Sequence, residues 1–146
     1  MATQRYRIEF ADSALEDLRS IPKREADQVL RKIQRLENGL VGNIKRLQNA
    51  DVGFRLRMGD YRVLFDMVGD KILVQKSAIE KMFMSNAIAE KPVAKNPRKN
   101  VINQISVLRE QMEDLNDYLD LLEARARNKG KRTYSIDEAR KQLGIA

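Results

Sequence analysis

One stretch carries most of the information about the structure of this chain: Phe54-Arg55-Leu56-Arg57-Met58-Gly59-Asp60-Tyr61-Arg62-Val63-Leu64-Phe65-Asp66. Charged and apolar residues alternate on both sides of a Gly-Asp turn, which predicts a two-stranded β-hairpin. Side chains two positions apart on a strand point to the same face, so Arg55 and Arg57 lie together. Arg62 follows the turn and joins them if the register places it on that face. Three guanidinium groups on one sheet attract a polyanion, and RNA is the expected one.

Composition narrows the classes of function. The 146 residues include 28 Lys+Arg and 21 Asp+Glu, a formal charge of +7 that favours phosphate backbones, although ribosomal and membrane surfaces also suit it. The chain contains no cysteine, which excludes disulfides and thiolate chemistry. It also contains no histidine, which excludes imidazole metal ligands, nucleophiles activated by histidine and ribonuclease mechanisms that use a pair of imidazoles. We expect no metal and no other cofactor. No apolar run is long enough to span a membrane, and the N-terminus does not resemble a signal peptide, so we expect a cytoplasmic protein without membrane contact.

The first 83 residues predict a small α+β domain. Tyr6, Ile8 and Phe10 alternate with polar residues, as in a strand, and Asp12 or Ser13 is suited to cap a short helix that follows. The later predicted elements are a helix from Pro22 to Asn38-Gly39, an edge strand from Ile44 to Leu47, the arginine hairpin and a last strand from Lys71 to Gln75. This order predicts a helical pair packed on a three- or four-stranded antiparallel sheet.

The rest of the chain has a different pattern. Residues 84–100 contain two prolines and scattered lysines without periodicity, which is typical of a linker or flexible arm. In residues 101–146, apolar residues recur at alternating steps of four and three, which predicts a long helix with a narrow heptad seam. The seam consists of Val101, Ile105, Leu108, Met112, Leu115, Leu119, Leu122 and Ala126. Thr133-Tyr134 predicts a short strand, and Ser135 with Glu138 forms a capping box that begins a final short helix.

Several features of residues 1–83 occur together in one family. They are the order of the elements, Ile21-Pro22 between the two helices, and the hairpin with its segment Gly59-Asp60-Tyr61-Arg62-Val63. On these features the segment resembles the RelE/ParE superfamily of bacterial toxins. Through Asp117-Tyr118-Leu119-Asp120-Leu121-Leu122-Glu123 and Tyr134-Ser135-Ile136-Asp137-Glu138-Ala139, residues 101–146 are similar to the toxin-wrapping tail of a RelB- or Phd-type antitoxin.

The resemblance implies a chemistry and partners. RelE-type members are ribosome-dependent mRNA interferases that cleave without metal, so the ribosome and mRNA are the implied partners. A ribose 2′-OH attacks the adjacent phosphate through a doubly charged phosphorane, which arginines stabilise. Arg55, Arg57 and Arg62 match the basic positions of the family motif and are the implied catalytic residues, with Lys45 or Arg46 as further RNA contacts. ParE-type members share the fold but poison DNA gyrase without such a cluster. An ordinary solvated sheet face with paired acids is the other alternative.

The chain departs from the family where the toxin segment ends. The family usually finishes with a segment like Gly-His-Arg followed by an aromatic, whereas this chain has Lys76-Ser77-Ala78-Ile79-Glu80-Lys81-Met82-Phe83. One extra G after the Lys76 codon, with suitable third bases, translates as Lys-Val-Gly-His-Arg-Lys-Asp-Val-Tyr-Glu. We therefore hypothesise that a deleted base removed the family ending and fused the toxin to an overlapping antitoxin gene that starts at Met84.

The tail has more than one predicted partner. We expect the seam to lie in an apolar groove of residues 1–83, and a homodimeric coiled coil is the alternative. An arm of about 17 residues reaches roughly 20–25 Å, so the tail can bind its own toxin segment or swap into a neighbouring chain. The acidic residues of the helix would face a basic partner: Glu110, Glu113, Asp114, Asp117, Asp120 and Glu123. The basic residues 125–132 favour a helix C-terminus or bind operator DNA, which would make the chain an autorepressor.

Taken together, these observations predict a toxin–antitoxin fusion with three segments, residues 1–83, 84–100 and 101–146. We expect its ancestral mRNA interferase activity to be silenced by the bound tail and by the missing ending.

Overall fold

The computed structural model describes residues 5–40, 42–80 and 96–145. Its elements are β1 Arg7–Ala11, α1 Asp12–Arg19, α2 Lys23–Gln34, β2 Asn43–Arg46, β3 Gly53–Met58, β4 Tyr61–Val68, β5 Lys71–Glu80, α3 Asn96–Asn128, β6 Thr133–Ser135 and α4 Ile136–Leu143. A 3₁₀ turn over Arg35–Asn38 extends α2. The predicted α+β class is confirmed, with the N-terminal pair of helices and the hairpin where the sequence places them.

All the described strands join one sheet in the order β2-β3-β4-β5-β1-β6. The strands β2 to β5 form an antiparallel meander, and its turns contain Gly59 and Gly69 with φ of 57° and 62°. Strand β1 runs parallel to β5, and β6 pairs antiparallel with the other edge of β1. The sheet is therefore wider than the predicted three- or four-stranded meander, because β1 and a strand from the C-terminal segment both extend it. It is also mixed, and the predicted all-antiparallel sheet is wrong, because β1 pairs with β5 in parallel.

One face of the sheet carries the main hydrophobic core. The apolar residues of the hairpin alternate into this core, which α1, α2 and α4 cover. From the C-terminal segment, Ile136, Ala139 and Leu143 of α4 belong to the same buried cluster. Strand β6 and α4 therefore extend the sheet and the core that residues 1–83 begin, and α3 connects them to the rest of the chain across the opposite face of the sheet.

Two predicted helix caps have different outcomes. The capping box of α4 is confirmed, because the Glu138 amide donates to the Ser135 hydroxyl at 3.2 Å and the Glu138 carboxylate accepts from the Ser135 amide at 3.0 Å. At α1 the predicted cap is wrong, since the N-cap residue is Ala11 and no side chain caps it. The Ser13 hydroxyl instead donates to the Gln75 carbonyl at 2.7 Å, tying α1 to β5.

Some boundaries also differ from the predicted ones. Strand β5 runs on to Glu80 instead of ending at Gln75, and α3 begins at Asn96, within the segment predicted as linker. The remainder of that segment, residues 84–95, and the predicted fusion point at Met84 lie outside the described residues. In the described part of the chain, none of the helices is long and apolar enough to cross a membrane.

Candidate functional site

The predicted arginine cluster forms on the face of the sheet opposite the main core. The register places Arg57 opposite Arg62 across the hairpin and Lys45 opposite Arg55 across β2 and β3. Neighbouring strands lie about 4.8 Å apart, so three adjacent strands bring four cationic side chains into one patch. Like charges placed directly opposite each other destabilise a sheet unless an anion offsets them. This patch therefore requires an anionic partner.

Helix α3 supplies that partner at Arg55. One guanidinium nitrogen of Arg55 donates to Asp114 at 2.6 Å and to Asp117 at 3.0 Å, and the other lies 3.4 Å from Glu110. Lys45 donates to the other carboxylate oxygen of Asp114 at 2.5 Å. Arg55 is only 2% exposed. The carboxylates of α3 thus enclose the central arginine of the patch.

The two arginines that flank the hairpin turn also pair with α3. Arg57 donates to Glu113 and lies 3.5 Å from Glu110, and Arg62 donates to Asp117. Asp117 is fully buried between two guanidinium groups, and Arg62 is 5% exposed. Because Arg55 and Arg62 contact the same carboxylate, the predicted sharing of one face by these arginines is confirmed.

Helical spacing explains why these acids act together. Residues 110 and 117 are each three or four positions from both residue 113 and residue 114, so the four residues form one face of α3. Burial raises the pKa of Asp117, more than its two arginine partners lower it. Burial also tends to raise the pKa of Asp114, but the hydrogen bonds and positive charges of Lys45 and Arg55 outweigh it and lower this pKa below its ordinary value. The cationic patch thus favours the charged form of Asp114, whereas burial disfavours the charged form of Asp117.

A small apolar contact continues the interface along α3. Leu121 is fully buried against Leu47 and Leu64, with Tyr118 packed at its side. Gly53 makes this approach possible, since a Cβ at this position would collide with the Leu121 side chain. This cluster is far smaller than the core on the other face, so polar contacts dominate the attachment of α3.

Two polar contacts near the end of α3 were not predicted from the sequence. Arg125 donates to Asp66 at 2.6 Å and also binds Asp51, whose pKa this guanidinium holds far below its usual range. The buried Asn128 amide donates to the Ser13 hydroxyl and the Gln75 side chain, both at 2.9 Å. The available signal was the helical spacing of these residues with Asp114, Asp117 and Leu121.

The two predicted RNA contacts separate. Lys45 belongs to the cationic patch, as described above. Arg46 points to the other side of β2, where its guanidinium lies 5.2 Å from the centre of the Phe54 ring and donates to the Asn49 carbonyl at 3.1 Å. A one-residue step along a strand reverses the face, so these neighbours cannot both join the cluster.

The predicted heptad seam does not contact the domain. Its residues Val101, Ile105, Leu108, Met112, Leu115, Leu119 and Leu122 are 37–60% exposed. The prediction assumed that the apolar side of an amphipathic helix faces the protein. Here the opposing sheet face is cationic, so α3 turns four of its acids toward the sheet and the leucines of the seam away from it. Of the six acids expected to face a basic partner, the four from Glu110 to Asp117 do so, and Asp120 and Glu123 do not.

Two of the basic residues in 125–132 form ion pairs with acids of the same chain. Arg125 is paired with Asp51 and Asp66, and Arg132 pairs with Glu138 and lies over the Tyr134 ring. Among the described residues, no group of acids suited to hold a metal ion occurs. The predicted cluster is a cationic surface, and guanidinium groups of this kind form charge-assisted hydrogen bonds with carboxylates or phosphates.

No family model matches the chain, and no curated protein matches it. Two solved structures are similar to about half of it. A RelBE2 toxin–antitoxin complex from Mycobacterium tuberculosis has 21% identity and a TM-score of 0.47, covering 53% of this chain and 99% of its own. A RelB–RelE antitoxin–toxin complex from Methanococcus jannaschii has 21% identity and a TM-score of 0.39, covering 49% and 87%.

Proposed function

We propose that this chain is a toxin–antitoxin fusion in which residues 101–146 act as an attached antitoxin for an RNA-directed toxin module in residues 1–83. The observation that carries the proposal is the enclosure of Arg55, which is 2% exposed and bound by carboxylates of α3. In this proposal, phosphate oxygens would take the place of those carboxylates on an uncovered patch.

The composition of the interface supports a removable cover. A helix that only completes a core buries its apolar residues, but α3 exposes most of its leucines, with Leu121 the exception, and turns Asp114 and the buried Asp117 toward the sheet. Burying a charge is costly unless it is paired, so the arginines and the acids depend on each other. If α3 detaches, the sheet face is left with an uncompensated cationic patch that favours another polyanion.

The proposed substrate is mRNA on the ribosome. In this reaction a ribose 2′-OH attacks the adjacent phosphorus, the P–O5′ bond breaks, and a cyclic phosphate and a 5′-hydroxyl result. Arg55, Arg57 and Arg62 would stabilise the extra negative charge on the phosphorane, and Lys45 would hold a neighbouring phosphate. The mechanism needs no imidazole, which the chain does not contain.

We further propose that this chain is catalytically silent. A base deleted after the Lys76 codon would explain why the Arg and Tyr of the family ending are missing from residues 76–83. The toxin module then lacks groups that contact phosphate and a base, and the covering helix blocks the patch as well. The coding DNA tests this directly, because codons incompatible with the shifted reading would exclude the frameshift.

Activity is tested in a cell-free translation system with defined mRNA. The uncovered variant carries Glu113→Gln, Asp114→Asn and Asp117→Asn in the full chain, and a second version also carries the restored ending after Lys76. We expect ribosome-dependent mRNA cleavage from the version with the restored ending, mapped by primer extension. Wild-type protein leaves the mRNA intact.

Two controls make the result specific. Neutralising Arg55, Arg57 and Arg62 to Gln in the restored version abolishes cleavage if the arginines act as proposed. A gyrase supercoiling assay runs in parallel with every protein. If the protein stops supercoiling and leaves the mRNA intact, the module in residues 1–83 acts on gyrase and not on RNA.

A further inference from the structure

The outer side of α3 carries a continuous apolar stripe that nothing in the described structure covers. Its central members, Leu108, Met112, Leu115 and Leu119, are 53–60% exposed. From Val101 to Leu122 the stripe extends roughly 30 Å along the helix, at 1.5 Å per residue. Single apolar residues on a surface are common, but a contiguous stripe of this length marks an interaction surface.

We propose that this stripe binds a second copy of the same chain, through antiparallel pairing of two α3 helices. The alternating steps of four and three are the a/d pattern of a two-helix coiled coil, in which each stripe is the complement of the other. The stripe lies opposite the face that binds the arginines. Two copies can therefore pair while each α3 remains attached to its own sheet.

The flanking charges select the antiparallel orientation. In a parallel pair, each g position faces the e position five residues later, which places Gln111 against Asn116 and Tyr118 against Glu123, without opposite charges. With Ile105, Met112 and Leu119 at the a positions, Arg109 and Glu123 occupy e positions. In an antiparallel pair the e positions face each other, so Arg109 lies opposite Glu123 of the partner subunit, and this contact occurs twice by symmetry. Neither Arg109 nor Glu123 makes an ion pair among the residues that the structure describes.

This register also matches the apolar layers. Leu115 packs against Leu119 of the partner subunit, Met112 against Leu122, and Leu108 against Ala126, each layer occurring twice. A specific complex buries at least about 1,000 Å² in total, and a single pair of helices lies toward the small end of such interfaces. We therefore expect a dimer with a dissociation constant in the micromolar range, independent of whether the arginine patch binds RNA.

Sedimentation of the full-length chain between about 1 and 200 µM tests the dimer. Wild-type protein shifts from monomer to dimer across this range, and Leu115→Glu raises the dissociation constant at least tenfold. Asn103→Glu, which adds the same charge on an exposed position outside the stripe, is the matched control and leaves dimerisation unchanged. Circular dichroism at low concentration verifies that both variants remain folded. A monomer throughout the range, or equal dimerisation by Leu115→Glu, overturns the proposal.

A charge exchange tests the orientation. Glu123→Arg places a second positive charge opposite Arg109 across the antiparallel interface and therefore weakens the dimer. Adding Arg109→Glu restores opposite charges at the two positions and therefore restores the dimer. Because the chain has no cysteine, Asn116→Cys provides a unique crosslinking site that faces its own copy at the centre of this register. A dimer that ignores the charge exchange and gives no crosslink at this position overturns the antiparallel arrangement.

Discussion

Asp117 is the residue whose replacement most sharply tests the attachment of α3. Its carboxylate is fully buried and accepts hydrogen bonds from Arg55 at 3.0 Å and from Arg62. Asp117→Asn keeps the size of the side chain and removes its charge, so two buried guanidinium groups lose their shared counter-charge. We expect α3 to open far more often in this variant.

The magnitude follows from the burial of the pair. Removing one partner of a buried ion pair costs about 3–5 kcal/mol, because the remaining charge is left in a poorly solvated site. Burial raises the pKa of Asp117, so its own charge is held at a cost and the lower end of that range applies. About 3 kcal/mol corresponds to a roughly 100-fold increase in the population with α3 detached.

Hydrogen exchange followed by mass spectrometry measures this opening. We expect the amides of residues 105–121 to exchange roughly 100-fold faster in Asp117→Asn than in the wild type. Asp120→Asn is the control, since Asp120 lies on the same helix but makes no ion pair among the described residues. If the two variants exchange at the same rate, the buried carboxylate does not hold α3 and the reasoning is refuted.

Three other predictions concern different parts of the interface and the core. Gly53→Ala places a methyl group against Leu121 and weakens the attachment of α3 by about 1–3 kcal/mol. In urea unfolding, the double variant with Leu121→Ala loses less unfolding free energy than the sum of the two single variants. The hydrogen bonds from Arg125 lower the pKa of Asp51. The charged Asp51 carboxylate therefore stabilises the fold above about pH 4, and this stabilisation is lost as the pH falls below that value. Asp51→Asn should therefore lose less stability than the wild type between about pH 6 and pH 3 in denaturant titrations. Ser135→Ala removes the cap of α4 and lowers the unfolding free energy by about 1 kcal/mol without increasing exchange in α3, as calorimetry and hydrogen exchange would show together.

Local sequence signals predicted the hairpin and the last helix because both depend on near neighbours. Alternation across Gly59-Asp60 fixes which residues share a face, so the grouping of Arg55, Arg57 and Arg62 follows from the period of a strand. The capping box at Ser135 is equally local. Such features are determined by residues a few positions apart and require no knowledge of the distant parts of the fold.

The orientation of α3 was not predictable from its own sequence. Its leucines form a regular seam, and burial of apolar area normally decides which side of a helix faces the protein. Here the opposing surface contains Arg55 and Arg62, and their need for counter-charges outweighed the burial of leucines such as Leu108 and Leu115. The result depends on the combination of two surfaces that lie more than fifty residues apart in the chain.

The contacts of Arg125 and Asn128 show the same limit. Their partners Asp51, Asp66, Ser13 and Gln75 are distributed over much of the chain, and no short motif connects them. Helical spacing with Leu121 was the one available indication that these residues share the inner face of α3. Position on a face can thus be read from spacing, but the identity of the opposing surface cannot.

Binding of single-stranded RNA to the full-length uncovered variant is the most direct test of a masked anion site. Fluorescence anisotropy in increasing salt should give clear binding, with a slope of log K against log salt of about −2 to −3 for three or four phosphate contacts. Wild-type protein should bind far more weakly. A control with Glu16→Gln, Asp120→Asn and Asp137→Asn has the same net charge and should behave like the wild type. Equal binding by the uncovered variant and this control would contradict the central claim, because a general gain of positive charge would then explain the RNA affinity.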